Sequence, residues 1–144
     1  MPPHRRILAL DLGSRRIGLA VSDALGITAQ GLPTLHRRNK REDLFQLAKV
    51  IRQYDVAEVV LGNPLRMSGD AGDASSRSED FAALLRERFQ LPVHLIDERL
   101  TTAEAHRVLD AAEVPGVRRK EMIDSLAAVL ILQQFLSTRE QNPQ

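Results

Sequence analysis

The sequence predicts an α/β fold: a mixed five-stranded sheet, with three antiparallel strands first and parallel strands after them, flanked by helices. Three observations lead there. Two apolar runs near the start are separated only by Gly13-Ser14-Arg15-Arg16, so they must pair as antiparallel neighbours. Two later apolar runs, Val59-Val60-Leu61 and Val93-His94-Leu95-Ile96, alternate with stretches of helical periodicity, the pattern of strands joined by helical crossovers. A content of 43% hydrophobic and 27% charged residues over 144 positions is that of one globular domain, residues 1–144, with an ordered core over about 6–136.

In chain order, Ile7 to Leu12 reads as a buried strand and Ile17 to Ser22 as its hairpin partner. Ile27 to Leu35 gives a third strand, placed at an edge by Gly31 and Pro33. From Arg41 to Tyr54, Leu44, Leu47, Ala48 and Ile51 recur at helical spacing. After the strand at Val59, residues 66–78 hold two glycines, four serines and two aspartates, the composition of a mobile loop. A helix then runs to about Phe89, with Phe81, Leu84, Leu85 and Phe89 inward, and Val93 to Ile96 is the last strand. Thr101-Thr102-Ala103-Glu104 has the form of a capping box that opens a helix through about Ala112. Val114-Pro115-Gly116 breaks the chain, a final helix spans about Lys120 to Leu136, and the polar residues 137–144 are expected to fray.

Composition removes several function classes. With no cysteine, disulfides and thiolate metal sites are excluded. No apolar run reaches membrane-spanning length, and Met-Pro-Pro-His-Arg-Arg lacks a signal peptide's apolar segment, so a cytoplasmic protein without a membrane partner is expected. The net charge of +1 is unevenly distributed: residues 1–60 carry ten basic against six acidic side chains, residues 61–144 ten against thirteen. Seventeen of the twenty basic residues are arginine, whose planar fork suits phosphate. Arg15-Arg16, the run from His36 to Arg41, and Arg118-Arg119-Lys120 are candidate contacts. Aromatic content of 3% without tryptophan argues against a single-strand binder built on stacked bases. There is no G-x-x-x-x-G-K-[ST] loop, no G-x-G-x-x-G turn and no G-x-S-x-G elbow, and the four histidines lack metal-ligand spacing.

Three carboxylates carry the functional signal. Asp11 closes an apolar strand on the face of Ile7 and Ala9, followed by Gly13; its ordinary role would be to cap the turn. Asp97 and Glu98 follow the last strand and point to opposite faces, so one of them can share Asp11's site; spacing does not choose between them. Asp124 lies in an apolar helix, on the stripe of Ala127, Ala128, Ile131 and Phe135. A carboxylate buried there without a partner would cost several kcal/mol, roughly. Three that converge make a hard oxygen site suited to Mg²⁺ or Mn²⁺ acting on phosphodiesters.

Asp11-Leu12-Gly13 with Arg16-Ile17-Gly18-Leu19-Ala20-Val21-Ser22-Asp23, then Gly62-Asn63-Pro64, Asp97-Glu98-Arg99-Leu100-Thr101-Thr102 and Asp124-Ser125-Leu126-Ala127-Ala128, together resemble the YqgF family. These bacterial proteins, also called RuvX-like, are described as Holliday-junction resolvases and pre-16S rRNA nucleases. The resemblance runs from about Ile7 to Leu136 and implies a ribonuclease H-like fold. It assigns catalysis and metal binding to Asp11, Glu98 and Asp124, and it is the resemblance that selects Glu98 over Asp97. It further implies a pair of Mg²⁺ or Mn²⁺ ions about 4 Å apart, with the carboxylates as ligands. Arg15, Arg16, Arg99, Arg118, Arg119 and Lys120 would hold flanking phosphates. The implied substrate is structured RNA at the 5′ end of pre-16S rRNA, with branched DNA as the alternative; junction cleavage would call for a symmetric homodimer. Asn63, where the family often has an apolar residue, and Ser68-Gly69, where an acidic-Gly pair is common, depart from the pattern and bear on substrate detail. Two other readings compete: a nucleic-acid-binding module without activity, and an actin-like ATPase domain, whose first phosphate loop Asp11-Leu12-Gly13-Ser14 also resembles but whose length far exceeds 144 residues.

Overall fold

The computed structural model describes residues 6–63, 73–97, 107, 110–111 and 116–141, except for the side chains at 63, 73–76, 97, 116–122, 124, 140 and 141. In chain order the elements are β1 (Arg6–Leu12), β2 (Arg16–Ser22), β3 (Ala29–His36), α1 (Lys40–Gln53), β4 (Val56–Asn63), α2 (Asp73–Phe89), β5 (Val93–Asp97) and α3 (Gly116–Gln141). The five strands form one sheet in the order β3-β2-β1-β4-β5. The pairs β1–β2 and β2–β3 are antiparallel, and β1–β4 and β4–β5 are parallel, as the alternation of runs predicts. β3 lies at the edge, where Pro33 removes no hydrogen bond from the interior of the sheet.

Side-chain alternation divides β1 between two cores. Leu8 and Leu10 face α1 and α2, packing with Val59, Leu61, Leu47, Phe81 and Leu85. Ile7 and Ala9 face the other way, with Ala20, Val60, Ala128, Ile131 and Leu132. Ile131 and Leu132 are fully buried, and at about 1.5–3 kcal/mol each their burial outweighs anything helix propensity contributes to holding α3 on the sheet. The residues beneath α3 are small, so its backbone comes close. A Cβ added at Gly31 of β3 would collide with Ser125 Oγ and stand 3.5 Å from Val129 Cγ2.

Four boundaries differ from expectation. Residues 73–78, read as loop, form the first turns of α2, where the buried Ser78 sits one turn before Ala82. β4 extends to Val56–Asn63, because Glu58, which interrupts the apolar run in sequence, is paired within the fold. The final helix starts at Gly116 rather than Lys120. It also continues to Gln141, so 137–141 do not fray: Arg139 forms an ion pair with Glu58, 2.7 Å from Nη1 to Oε2, across 81 residues of sequence. The loop 66–72, the capping box at Thr101 and most of the helix it opens lie outside the described residues, although 107, 110 and 111 are helical.

Candidate active site at the carboxyl edge of the sheet

β1, β4 and β5 are parallel, so Asp11, Asn63 and Asp97 reach one edge of the sheet. In open α/β sheets, ligands bind beyond the carboxyl ends of the strands. β3 runs in the same direction and delivers His36, paired with Arg16, to that edge. α3 runs the opposite way, since its Arg139 meets Glu58, the partner of Ile7 near the start of β1.

That polarity sets where position 124 falls. Ala128 packs in the same cluster as Ala9 and Ala20. Asp11 lies two residues beyond Ala9, roughly 7 Å along β1. Position 124 lies four residues before Ala128, roughly 6 Å along α3 in the same direction. Both therefore advance by similar lengths from a common contact toward the carboxyl edge. The chain leaves β5 at Asp97 on that edge, immediately before Glu98.

Asp11 is half-buried, and its cross-strand partner is Gly18, which puts no side chain beside it. The turn that follows is tight: Gly13 N–H donates to Arg16 O at 2.9 Å, and a Cβ at Gly13 would stand 2.7 Å from that same oxygen. Glycine is required there by the close approach of backbone. The turn presents Arg15 to solvent and leaves Arg16 half-buried. Of the expected ligands, Asp11 is described in full; Asp124 is described in its backbone position, and Glu98 lies outside the described residues. Among the described residues no group of three acidic or histidine side chains could hold a metal ion. Arg99 also lies outside them, and Arg118, Arg119 and Lys120 are placed in the first turns of α3 without described side chains.

The run from His36 to Arg41 divides in role. Arg37 is committed inside the fold rather than offered to phosphate. Its Nε donates to Asp43 Oδ2 at 2.9 Å, its Nη1 to Gly13 O at 2.8 Å, and its guanidinium stands 5.6 Å from the centre of the Phe81 ring. Asp43 is 1% exposed and also accepts from Arg38 N–H at 3.1 Å. Arg37 thereby ties the β1–β2 turn to α1 and α2. Sequence analysis missed Asp43, although one signal was present: it stands four residues before Leu47, on the stripe that α1 buries. A carboxylate on such a stripe implies an internal cation.

A second polar cluster closes the opposite edge. Glu58 accepts two hydrogen bonds from Arg139, at 2.7 and 2.8 Å, and its Oε1 is 3.1 Å from His94 Nε2. Hydrogen bonding to Arg139 holds the Glu58 carboxyl below its ordinary value of 4.5 despite the opposing effect of burial, and Glu58 in turn raises Arg139. Phe135 packs beside both, 5.1 Å from the His94 ring and 4.6 Å from the Arg139 guanidinium. In the β2–β3 loop, the Thr28 and Ile27 N–H groups donate to Asp23 Oδ1 and hold its carboxyl low.

A family model described as "RuvX: Holliday junction resolvase" matches residues 5–138. A protein of Koribacter versatilis named "Putative pre-16S rRNA nuclease" is 57% identical over 136 residues, covering 94% of this chain and 89% of its own. A protein of the same name from Moorella thermoacetica is 47% identical over 137 residues, covering 95% of this chain and 98% of its own. Among solved structures, Thermus thermophilus RuvC in complex with a Holliday junction substrate aligns at a TM-score of 0.57 and 13% identity, over 95% of this chain and 96% of that one. The fowlpox virus Holliday junction resolvase aligns at 0.56 and 15%, over 92% and 99%. At those identities the likeness is one of fold, and it agrees with the ribonuclease H-like architecture expected from the sequence.

Proposed function

This chain belongs to the RuvX family, and from that premise we propose that it is a divalent-metal-dependent endonuclease that processes the 5′ end of pre-16S rRNA in the cytoplasm. As a nuclease it is a hydrolase of phosphodiester bonds. The observation that supports this reading is the shared edge: Asp11 is the penultimate residue of β1, the N-terminal half of α3 runs toward the same edge, and β5 ends there at Asp97, just before Glu98 in sequence.

The donor set suits Mg²⁺ or Mn²⁺. Carboxylates are hard oxygen ligands, and the chain has no thiol to divert the site toward softer metals. Asp11, Glu98 and Asp124 would hold the ions. Ions bound there would supply activation of a water and charge stabilisation of the leaving oxygen. The chain's own contribution is placement. Asp11 is carried by a strand buried on both faces, and the Gly13 turn behind it is fixed by Arg37 and Asp43. Arg15, exposed on that same turn, and Arg16, half-buried at the start of β2, would contact flanking phosphates, with Arg99, Arg118, Arg119 and Lys120 as further contacts. Phosphate contacts of this kind position a strand without reading its sequence.

Asp11→Asn and Asp124→Asn should each abolish Mg²⁺- or Mn²⁺-dependent cleavage while leaving RNA binding within about twofold, since neither contributes a cation to phosphate contact. Purified protein would be offered precursor rRNA and four-way DNA junctions side by side. Full cleavage by either variant would remove the proposed site. Cleavage of junctions but not precursor rRNA would replace the RNA reading with junction resolution by a symmetric dimer.

A further inference from the structure

The first turns of α1 carry a feature that the metal site does not use. Phe45 is 51% exposed, and Lys49, one turn further on, places its ammonium 4.8 Å from the centre of the ring. The ring lines a depression of about 510 Å³ together with Asn39, Arg41 and Glu42 of the α1 start and Arg88 from the end of α2. That volume lies within the range of small-molecule pockets, roughly 300–1,000 Å³. Asn39 is occupied as the helix cap, its Oδ1 accepting from Glu42 N–H at 2.8 Å, and Glu42 accepts from Gln46. Arg41 and Arg88 have no ion-pair partner among the described residues. The patch thus presents one aromatic face and three cations against one acid, with Arg38 and Lys40 exposed alongside.

A lone exposed phenylalanine on a helix needs no explanation, and a Phe-Lys pair at this spacing gives a helix a few tenths of a kcal/mol at most, roughly. The convergence of cations from two separate helices on the ring is a different matter. Like charges gathered around an apolar face repel one another, and a polyanion with flat apolar groups relieves that repulsion. α1 begins at the edge to which β3 delivers His36, the same edge that carries Asp11. α1 and α2 pack on the face of the sheet opposite to the one Asp11 shares with Ile7 and Ala9, so a strand held at the metal site would reach this surface by passing over that edge.

We propose that Arg41, Phe45, Lys49 and Arg88 form a second contact for the substrate, in which Phe45 stacks an unpaired base and the cations hold the adjoining phosphates. The partner is a single-stranded stretch of nucleic acid flanking the cleaved position. The contact rests on the nuclease reading for its purpose. With four phenylalanines and one tyrosine in the whole chain, it is one stacking position and not a platform of several. Every base has a π-face, so the contact tolerates any sequence while discriminating unpaired from paired strands.

The test is fluorescence anisotropy of the full chain with a short labelled oligouridylate, and with an RNA duplex of equal length, both in EDTA so that no cleavage intervenes. Phe45→Ala should weaken the single strand by about five- to tenfold and leave the duplex within about twofold, and Phe45→Tyr should restore the single strand. Arg88→Ala should flatten the dependence of log affinity on log salt by about 0.7, one phosphate contact on a single strand, whereas Phe45→Ala should not change that slope. Equal single-strand affinity for Phe45→Ala and the parent protein would overturn the proposal and leave the patch to a protein partner. So would parallel losses on both RNAs. A nuclease reading that failed would show in the Asp11→Asn cleavage assay, and this binding measurement would stand apart from it.

Discussion

Asp43→Ala tests whether the fold holds its β1–β2 turn through an internal ion pair. The Asp43 side chain is 1% exposed and that of Arg37 20%, so the pair is largely removed from water. Truncating Asp43 leaves the Arg37 guanidinium without its counter-charge and the Arg38 N–H without its acceptor. Breaking a buried pair from one side costs about 3–5 kcal/mol. For 144 residues the unfolding entropy is about 0.3 kcal/mol per degree near the midpoint, so the melting temperature should fall by about 10–17 °C. Arg37→Ala should cost a similar amount, because it strands the carboxylate instead and also removes the bond to Gly13 O. The two losses should be far from additive. The double variant Arg37→Met, Asp43→Leu should recover much of either loss, since neither charge is then left alone. Thermal unfolding followed by circular dichroism at pH 7 of the parent, Asp43→Ala, Arg37→Ala and the Arg37→Ala, Asp43→Ala double gives the four corners of the cycle, with the Met/Leu double beside it. A shift under about 3 °C for Asp43→Ala, roughly 1 kcal/mol, or simple additivity of the two truncations, would refute the account.

Two further expectations concern α3. Glu58 has its carboxyl lowered in the fold, so its contribution to stability is fully present above the ordinary value of 4.5 and is lost as pH falls through the lower folded value. The gap in melting temperature between the parent and Arg139→Ala should therefore be constant from neutral pH down to about 5 and should close in more acid solution; a gap that widened with acid would contradict the pairing. Gly31→Ala should destabilise by about 1 kcal/mol, because its new methyl meets Ser125 Oγ. In a Ser125→Ala background, where the nearest remaining atoms are Val129 Cγ2 at 3.5 Å and Ser125 Cβ at 3.6 Å, that cost should vanish; persistence of the cost in urea titration would mean the backbone itself is in the way.

The sheet was legible because its signals are local. The four-residue turn fixes β1 and β2 as a hairpin, and Gly31 with Pro33 marks β3 as an edge before any coordinate is known. Helix ends were less legible because distant partners set them. Nothing near Arg139 in sequence indicates that it will meet Glu58, yet that pair carries α3 past the expected fraying point. The start of α2 reads as loop because aspartate and serine favour both turns and first helical turns, and the ambiguity is resolved only where Phe81 and Leu85 pack on the sheet. Of the candidate contacts, the Arg37 reading fails for the same reason: charge is visible in sequence, but its internal acceptor is not. Asp11 is proposed from its position near the end of an apolar strand, whereas the preference for Glu98 over Asp97 rests on a resemblance that strand alternation alone does not supply.

The ion pair at one end of α3 also has a metrological meaning for the other. Arg139 and Asp124 are fifteen positions apart on one continuous helix, about 22 Å at the helical rise. With Arg139 anchored on β4 and Ser125 seated against Gly31, α3 acts as a ruler whose zero is set at one rim of the sheet and whose graduation is read at the other. Inserting or deleting a single residue between those marks would advance Asp124 by about 1.5 Å and swing it by about 100° around the helix axis. The segment from 124 to 139 should therefore tolerate substitution far more readily than any change in length.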